Sequence, residues 1–356
     1  MLRACVCHPA DTGIYSEEEV MIRISVLSAV LLALTLACGL ASAQGKQVVR
    51  FQEYPGSVSG LVGWVMKDRG FCEIQGLDCQ AVLLASGPLG QQAAAAGSVD
   101  VIVSSADVMM QAISKGNDIQ LLSSVIANNL YSLSVSAELP TPNRAAGYPA
   151  LMKDLVDKKI GVTVRGSSTE MFVKALLSGA GISPDKVMYV AVGGPGTAFA
   201  ALNAKQVDAV LSWDPLPIMC GATKVCNVAV DMTKGEGPAA LQAMNGGFVV
   251  WGARRDYIQK NGATVDRFIR ASNEALAWTK DPANYAAAKD IAQKYFKLGD
   301  VPNREQTFES MVKQVIAQYG GKIEPKVIDG FNGFLINNKM IETPLDASKI
   351  IYVKTM

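Results

Sequence analysis

The sequence predicts an α/β protein built from two similar, doubly wound lobes. Three observations lead there. Strand-like and helix-like segments alternate at short spacing over residues 47–113 and again over 159–212. The phrase Ala95-Ala96-Gly97-Ser98-Val99-Asp100-Val101 returns later as Ala201-Leu202-Asn203-Ala204-Lys205-Gln206-Val207-Asp208-Ala209. The small-residue turn Arg165-Gly166-Ser167-Ser168-Thr169 stands between a predicted strand and a predicted helix. Hydroxyls and free backbone N–H groups collect at such a helix start, which makes it a seat for an anion.

The elements follow in order. Gln47–Phe51 alternates and predicts a strand, and Tyr54-Pro55-Gly56-Ser57-Val58-Ser59-Gly60 predicts a loop. Leu61–Arg69 predicts a helix with Leu61, Val62, Val65 and Met66 on one face. Asp78–Leu84 and Val99–Val103 predict further strands, the latter an apolar run suited to a parallel sheet covered on both faces. Helices are expected over Pro88–Ala96 and, capped by Ser104-Ser105-Ala106-Asp107, through Ile113. Ile119–Ser136 is strand-like, and the chain is expected to cross between lobes near Asn128–Ser136. Pro140–Pro149 is a turn-rich connector. The second lobe is expected to hold strands Lys159–Val164, Val187–Val192 and Ala209–Ser212, with helices Ser168–Ser178 and Gly196–Lys205. Gly246–Trp251 predicts a return strand, the second crossing. Asp266–Thr279, Pro282–Phe296, Glu305–Tyr319 and Pro325–Asn337 show apolar spacings of three and four and predict helices on the first lobe.

The domain expectation is therefore residues 1–20 as a start called too early, 21–43 as a signal peptide, 44–130 as the first part of lobe 1, 131–244 as lobe 2, and 245–356 as the rest of lobe 1. Met21-Ile22-Arg23 begins a short basic region, Ile24–Leu40 is nearly all apolar, and Ala41-Ser42-Ala43 has the small-residue pattern of a cleavage site. The apolar run is shorter than the roughly 20 residues of a membrane span. Glu17-Glu18-Glu19 precedes a second Met and does not suit a signal. The rival route is lipid attachment at Cys38, whose flank Thr35-Leu36-Ala37 lacks the usual leucine three residues upstream. Export to the periplasm is the expectation either way.

The formal charge is +1, and no basic stripe suggests nucleic acid as a partner. Beyond the expected signal, Cys72, Cys79, Cys220 and Cys226 form two close pairs, read as local disulfides, with four free thiols as the alternative. Zinc is disfavoured because neither pair has the knuckle spacing. The only histidine is His8, upstream of the expected start. Histidine-dependent hydrolysis and His-ligated metals are thereby excluded from the expected mature chain. Neither a Gly-x-x-x-x-Gly-Lys-Ser/Thr loop nor a Gly-x-Gly-x-x-Gly turn is present. Ser183-Pro184-Asp185-Lys186 fits Ser-x-x-Lys but reads as a helix-start turn. The expectation is a protein that is not an enzyme and holds no cofactor or metal.

At this point the chain resembles a known family. Trp64–Phe71, Gly97-Ser98-Val99-Asp100, Leu155–Val164, Gly166–Thr169, Ala180-Gly181-Ile182-Ser183-Pro184 and Ala201–Ala209 together resemble the periplasmic substrate-binding proteins of ABC transporters, of the nitrate/sulfonate/taurine and THI5-like (NMT1-like) type. Lys205 stands where the family usually has Gly after Ala204, and Lys158 replaces the usual Gly before Lys159. The resemblance implies the type II periplasmic-binding-protein fold, two lobes joined by two crossing strands and closing on a hinge. It implies delivery of a small, anionic solute (sulfonate, taurine or nitrate) to an ABC permease and its ATPase by a monomer. Two alternatives accompany it, a THI5-like pyrimidine-precursor binding protein and a ligand-sensing partner of a membrane receptor.

In open α/β sheets ligands lie beyond the carboxyl ends of strands. The candidate ligand contacts are accordingly Tyr54, Ser57 and Ser59 after the first strand, Ser86 after the second, and Ser104 and Ser105 after the third. On the other lobe they are Arg165, Ser167, Ser168 and Thr169, then Gly194, then Trp213 and Asp214. Each serine has helix capping as its plain alternative, and Arg165 has a solvated strand end. Gly194 could simply make a tight turn. Asp214 either accepts from a ligand amine or, with Pro215, only ends its strand. Tyr131 and Trp251 lie near the expected crossings, where core packing explains them equally well.

Overall fold

The computed structural model of the chain describes residues 45–353. The expected early start, the signal peptide and Cys38 lie outside the described residues. Ten strands are described. They are β1 Gln47–Glu53, β2 Leu77–Leu83, β3 Ile102–Ser105, β4 Ile119–Ile126 and β5 Ser132–Ser136, then β6 Lys159–Val162, β7 Met188–Ala191, β8 Ala209–Ser212, β9 Cys226–Asp231 and β10 Val249–Arg254. The helices of two turns or more are α1 Leu61–Asp68, α2 Gly87–Ala95, α3 Ala106–Ser114, α4 Ser168–Gly179, α5 Pro195–Asn203 and α6 Leu216–Thr223. They continue with α7 Arg255–Lys280, α8 Tyr285–Tyr295, α9 Arg304–Gln318 and α10 Pro325–Asn337.

One sheet has the order β7-β6-β8-β5-β9. The pairs of β6 with β7 and β8 are parallel, and β5 runs antiparallel to both β8 and β9. The other half repeats this plan. Strand β10 runs antiparallel between β3 and β4. Strands β1 and β2 are parallel, and β1 meets β3 through the parallel bridge Phe51–Val101, with the Gln52 N–H donating to the Val101 carbonyl at 2.8 Å. The resulting order is β2-β1-β3-β10-β4, the same succession of directions as in the first sheet. The expectation of parallel sheets holds for three strands on each side. In each sheet only the fourth strand, β5 or β10, runs against the others, and it is the strand by which the chain arrives from the other lobe.

Every β4-to-β5 and β9-to-β10 step moves between sheets, so two connections join the lobes. They are pinned to each other. The Asn129 N–H donates to Asn245 Oδ1 at 2.8 Å, and the N–H groups of Gly246, Gly247 and Phe248 all reach the Ala127 carbonyl. The C-terminal helices cover the first sheet. Trp251 of β10 stacks edge-on to Phe268 of α7 at 5.3 Å and to Phe51 of β1 at 6.0 Å, all three fully buried. Residues Leu61, Val62, Val65 and Met66 are buried along α1, as the helical spacing requires.

Some boundaries moved. The strand expected at Val99–Val103 runs from Ile102 to Ser105, two to three residues further toward the cavity. The helix expected at Asp266–Thr279 begins at Arg255, with a break in helical geometry at Asn261. Strand β9 and helix α6 had no periodic signal of their own. A disulfide, Cys220–Cys226, ties the C-terminal turn of α6 to the start of β9, and a second, Cys72–Cys79, ties a single helical turn to β2.

Candidate functional site

The carboxyl ends of β1, β3, β6 and β8 face one cavity. Its walls include Tyr54, Ser59, Ser86, Ser104 and Ser105 from one side and Ser167, Ser168, Thr169 and Trp213 from the other. Leu130 and Tyr131 from the first connection complete the wall, together with Val249 and Trp251 from β10. Nine of the sequence candidates thus line a single space, and the two lobes contribute to it together.

Four candidates stand elsewhere. Ser57 is fully buried and holds the lobes together: its Oγ accepts from Trp213 Nε1 at 2.7 Å and pairs with Ser59 Oγ at 2.6 Å. Arg165 turns outward. Its Nη2 lies 3.2 Å from Glu170 Oε1 and its guanidinium sits 5.0 Å from the Tyr189 ring centre. Glu170 is buried and also accepts from the Gly166 N–H at 2.8 Å and from Lys174 Nζ at 2.7 Å, so the turn's own carboxylate occupies the arginine. Gly194 caps α5 and faces the Pro55 carbonyl rather than the cavity. Asp214 is buried beneath Trp213, with Oδ1 unpartnered. Burial, then the charge of Asp231, pushes its carboxyl up to about 7.

The hydroxyl turn is organised locally. The Thr163 N–H donates to Thr169 Oγ1 at 2.9 Å, Ser167 Oγ donates to the Val164 carbonyl at 2.7 Å, and Ser167 and Thr169 share a bond of 2.9 Å. Ser167 and Thr169 are therefore satisfied within the turn. Ser168 is not: its Oγ is buried, lines the cavity and has no partner. Ser86 caps α2 by accepting from the Leu89 N–H at 3.3 Å while its side faces the cavity.

Three aromatic rings shape the interior. Trp213 stands edge-on to Tyr54 at 6.0 Å and meets Tyr131 at 5.9 Å. Burial raises both tyrosine hydroxyls far above their ordinary range, so both stay neutral donors.

Sequence reasoning missed two buried carboxyls. Glu53 ends β1 and lines the cavity, with Oε1 unpartnered. Gly60 and Gly63 make room for it, since a Cβ at either position would collide with the Glu53 carboxyl. Asp107, in the first turn of α3, is fully buried with neither oxygen in a hydrogen bond. The Ser168 and Ser105 hydroxyls stand near enough to favour its ionised form without completing hydrogen-bond geometry. Burial outweighs them, and both carboxyls titrate above their ordinary range. An acidic residue closing the otherwise uncharged run Val48–Gln52 was the available signal for Glu53, apart from Arg50. Asp107 looked like ordinary helix capping. Among the described residues, no group of three His, Cys, Asp or Glu side chains could hold a metal ion. No helix among them is long and apolar enough to cross a membrane.

Comparison with known proteins agrees with this architecture. A protein of Brucella abortus (strain 2308), provisionally named a binding protein, is 26% identical over 243 residues, 66% of this chain and 67% of its own. A solved structure from Bordetella bronchiseptica RB50 superposes with a TM-score of 0.70 at 22% identity, covering 86% of this chain and 93% of its own. The alkanesulfonate-binding protein SsuA of Xanthomonas axonopodis pv. citri, bound to MOPS, gives 0.64 at 18% identity over 87% and 99% of the two chains. The periplasmic nitrate-binding protein NrtA of Synechocystis PCC 6803 gives 0.64 at 15% identity over 85% and 84%. At these identities the solved structures establish the periplasmic-binding-protein fold. The model of the NMT1/THI5-like family matches residues 63–285, and the chain belongs to that family.

Proposed function

We propose that this protein is the solute-binding component of an ABC importer, working as a monomer in the periplasm after removal of residues 21–43. It captures a small solute between its lobes and presents the closed form to a permease and its ATPase. The observation that carries this reading is the cavity walled from both lobes, with the buried Trp213–Ser57 hydrogen bond joining them. Contacts available only when the lobes meet let a ligand shift the open–closed balance. The absence of a histidine beyond His8 supports binding over acid–base catalysis.

The test is a thermal-shift panel of sulfonates, taurine, nitrate, carboxylates and pyrimidines, paired with mass spectrometry of whatever small molecule leaves the purified protein on denaturation. At one hundred times its Kd, a ligand stabilises by about 2.7 kcal/mol. The expected result is a rise in Tm of about 5 °C for at least one compound, with that compound or a relative released intact. A silent panel together with no released molecule defeats the proposal.

A further inference from the structure

We propose that the solute this cavity selects carries an organic ammonium group, held by Glu53 and the Asp107–Ser168 pair within the ring cluster of Tyr54, Tyr131 and Trp213. This deepens the binding-protein reading and rests on it.

Among the lining residues there is no lysine or arginine. The arginine nearest in sequence to the hydroxyl turn, Arg165, is committed to Glu170 and Tyr189 on the outside. An oxyanion would therefore have to be held by hydroxyls and helix starts alone, beside two carboxyls.

Those carboxyls are the second observation. Glu53 lines the cavity at 1% exposure with Oε1 unpartnered, and Asp107 is fully buried behind Ser168 with both oxygens unpartnered. A buried acceptor without a donor is costly, and a donor arriving with the ligand removes that cost. Ser168 Oγ, also unpartnered and facing the cavity, completes a set of acceptors from both lobes. An ammonium supplies N–H donors to both carboxyls and to the Ser168 oxygen, and its charge compensates a carboxylate out of water.

The rings are the third observation. Trp213 lies 6.0 Å from Tyr54 and 5.9 Å from Tyr131, centre to centre, and the carboxyl charges act on both tyrosines, those of Glu53 and Asp107 on Tyr54 and that of Asp107 on Tyr131. Aromatic faces attract cations and repel anions. The groups facing Glu53 and Asp107 are neutral: Tyr54, Tyr131 and Tyr319, with no basic side chain exerting a charge effect on either carboxyl.

The experiment compares three probes with one benzyl body: benzylammonium, phenylmethanesulfonate and phenylacetate. Binding is measured by isothermal titration calorimetry between pH 5 and 8, on the full mature chain. The expected result is benzylammonium binding at least tenfold tighter than either anion at pH 7.5. Its affinity should fall as pH is lowered, because the cation binds the ionised carboxyl and protons compete for it. The slope is up to tenfold per pH unit. Glu53→Gln should weaken benzylammonium at least tenfold and flatten that slope. If this variant does not fold, the pH profile of the unaltered protein still decides.

Tighter binding of the sulfonate or phenylacetate would overturn the ammonium assignment while leaving the binding-protein reading intact. An affinity for benzylammonium that rises toward low pH would do the same. If none of the three binds, the assignment falls, and with a silent thermal-shift panel the binding reading falls with it.

Discussion

Trp213 shows how one side chain serves two tasks. Its ring walls the cavity while its Nε1 spends its only hydrogen on Ser57 of the opposite lobe at 2.7 Å. Ser57→Ala leaves a buried indole N–H unpaired in the closed form alone, at a cost of about 1–3 kcal/mol. A ligand that binds by closure should then lose roughly 5–150-fold in affinity, mostly through faster release, with little change in the Tm of the ligand-free protein. Stopped-flow release rates check this, and equal rates in both proteins would remove Ser57 from closure. Asp214 makes a different kind of statement. Its carboxyl is raised to about 7, so between about pH 4 and 7 the folded chain holds a proton that the unfolded chain has lost. Stability must fall as pH rises through that window, by up to about 1.4 kcal/mol per pH unit, and level off above it. Glu53 and Asp107 are shifted the same way and act with the same sign. Asp214→Asn should flatten the decline and raise the urea midpoint at pH 8 relative to the unaltered protein. An unchanged pH slope would show that the Asp214 carboxyl ionises alike in the folded and unfolded chains.

Elements with strong periodicity were legible, and those defined by partners were not. Strand Ala209–Ser212 and helix Pro325–Asn337 have the limits that the residue pattern requires, because apolar spacing and flanking prolines or turns mark both ends. Strand β9, Cys226–Asp231, is half-buried beside β5 and ends in polar residues, so only its tertiary partner and a disulfide define it. The candidate site divides the same way. Serines beyond strand ends were readable from topology, whereas the outward turn of Arg165 depends on Glu170, five residues on and fully enclosed by α4 packing. Lys205 is a further case. It follows α5 with φ at 58°, the left-handed region where the family usually has glycine. Its ion pair with Glu138 at 2.7 Å joins two side chains that are about two-thirds exposed, a pairing worth at most about 1 kcal/mol. Left-handed backbone costs a side-chain-bearing residue about 1–2 kcal/mol. Lys205→Gly should therefore be neutral to stabilising by about 1 kcal/mol in urea melts, despite removing a charge pair. A clear loss of stability would mean that the ion pair outweighs the backbone.

At the scale of the whole molecule, closure has to be accommodated by the two connections, and these are braced against each other rather than free. Asn245 Oδ1 accepts the Asn129 N–H at 2.8 Å, Asn129 Oδ1 in turn accepts the Tyr131 N–H at 3.0 Å, and three successive N–H groups converge on the Ala127 carbonyl. Tyr131 belongs to the cavity wall, so the brace leads directly from the connections to the cavity. A braced pair of connections bends as a unit, which favours one closing path and keeps the cavity walls in register when they meet. Asn245→Ala removes the acceptor of a buried backbone donor and should cost about 1–3 kcal/mol of global stability. More informative is its effect on ligand-free shape. With the brace gone, the lobes should sample a wider range of openings, so small-angle scattering of the ligand-free variant should give a larger radius of gyration than the unaltered protein. Saturating ligand should return both proteins to one compact value, since the Trp213–Ser57 bond and the cavity contacts then define the geometry. If the variant and the unaltered protein scatter alike without ligand, the connections do not control opening, and the hinge must lie in the strands themselves.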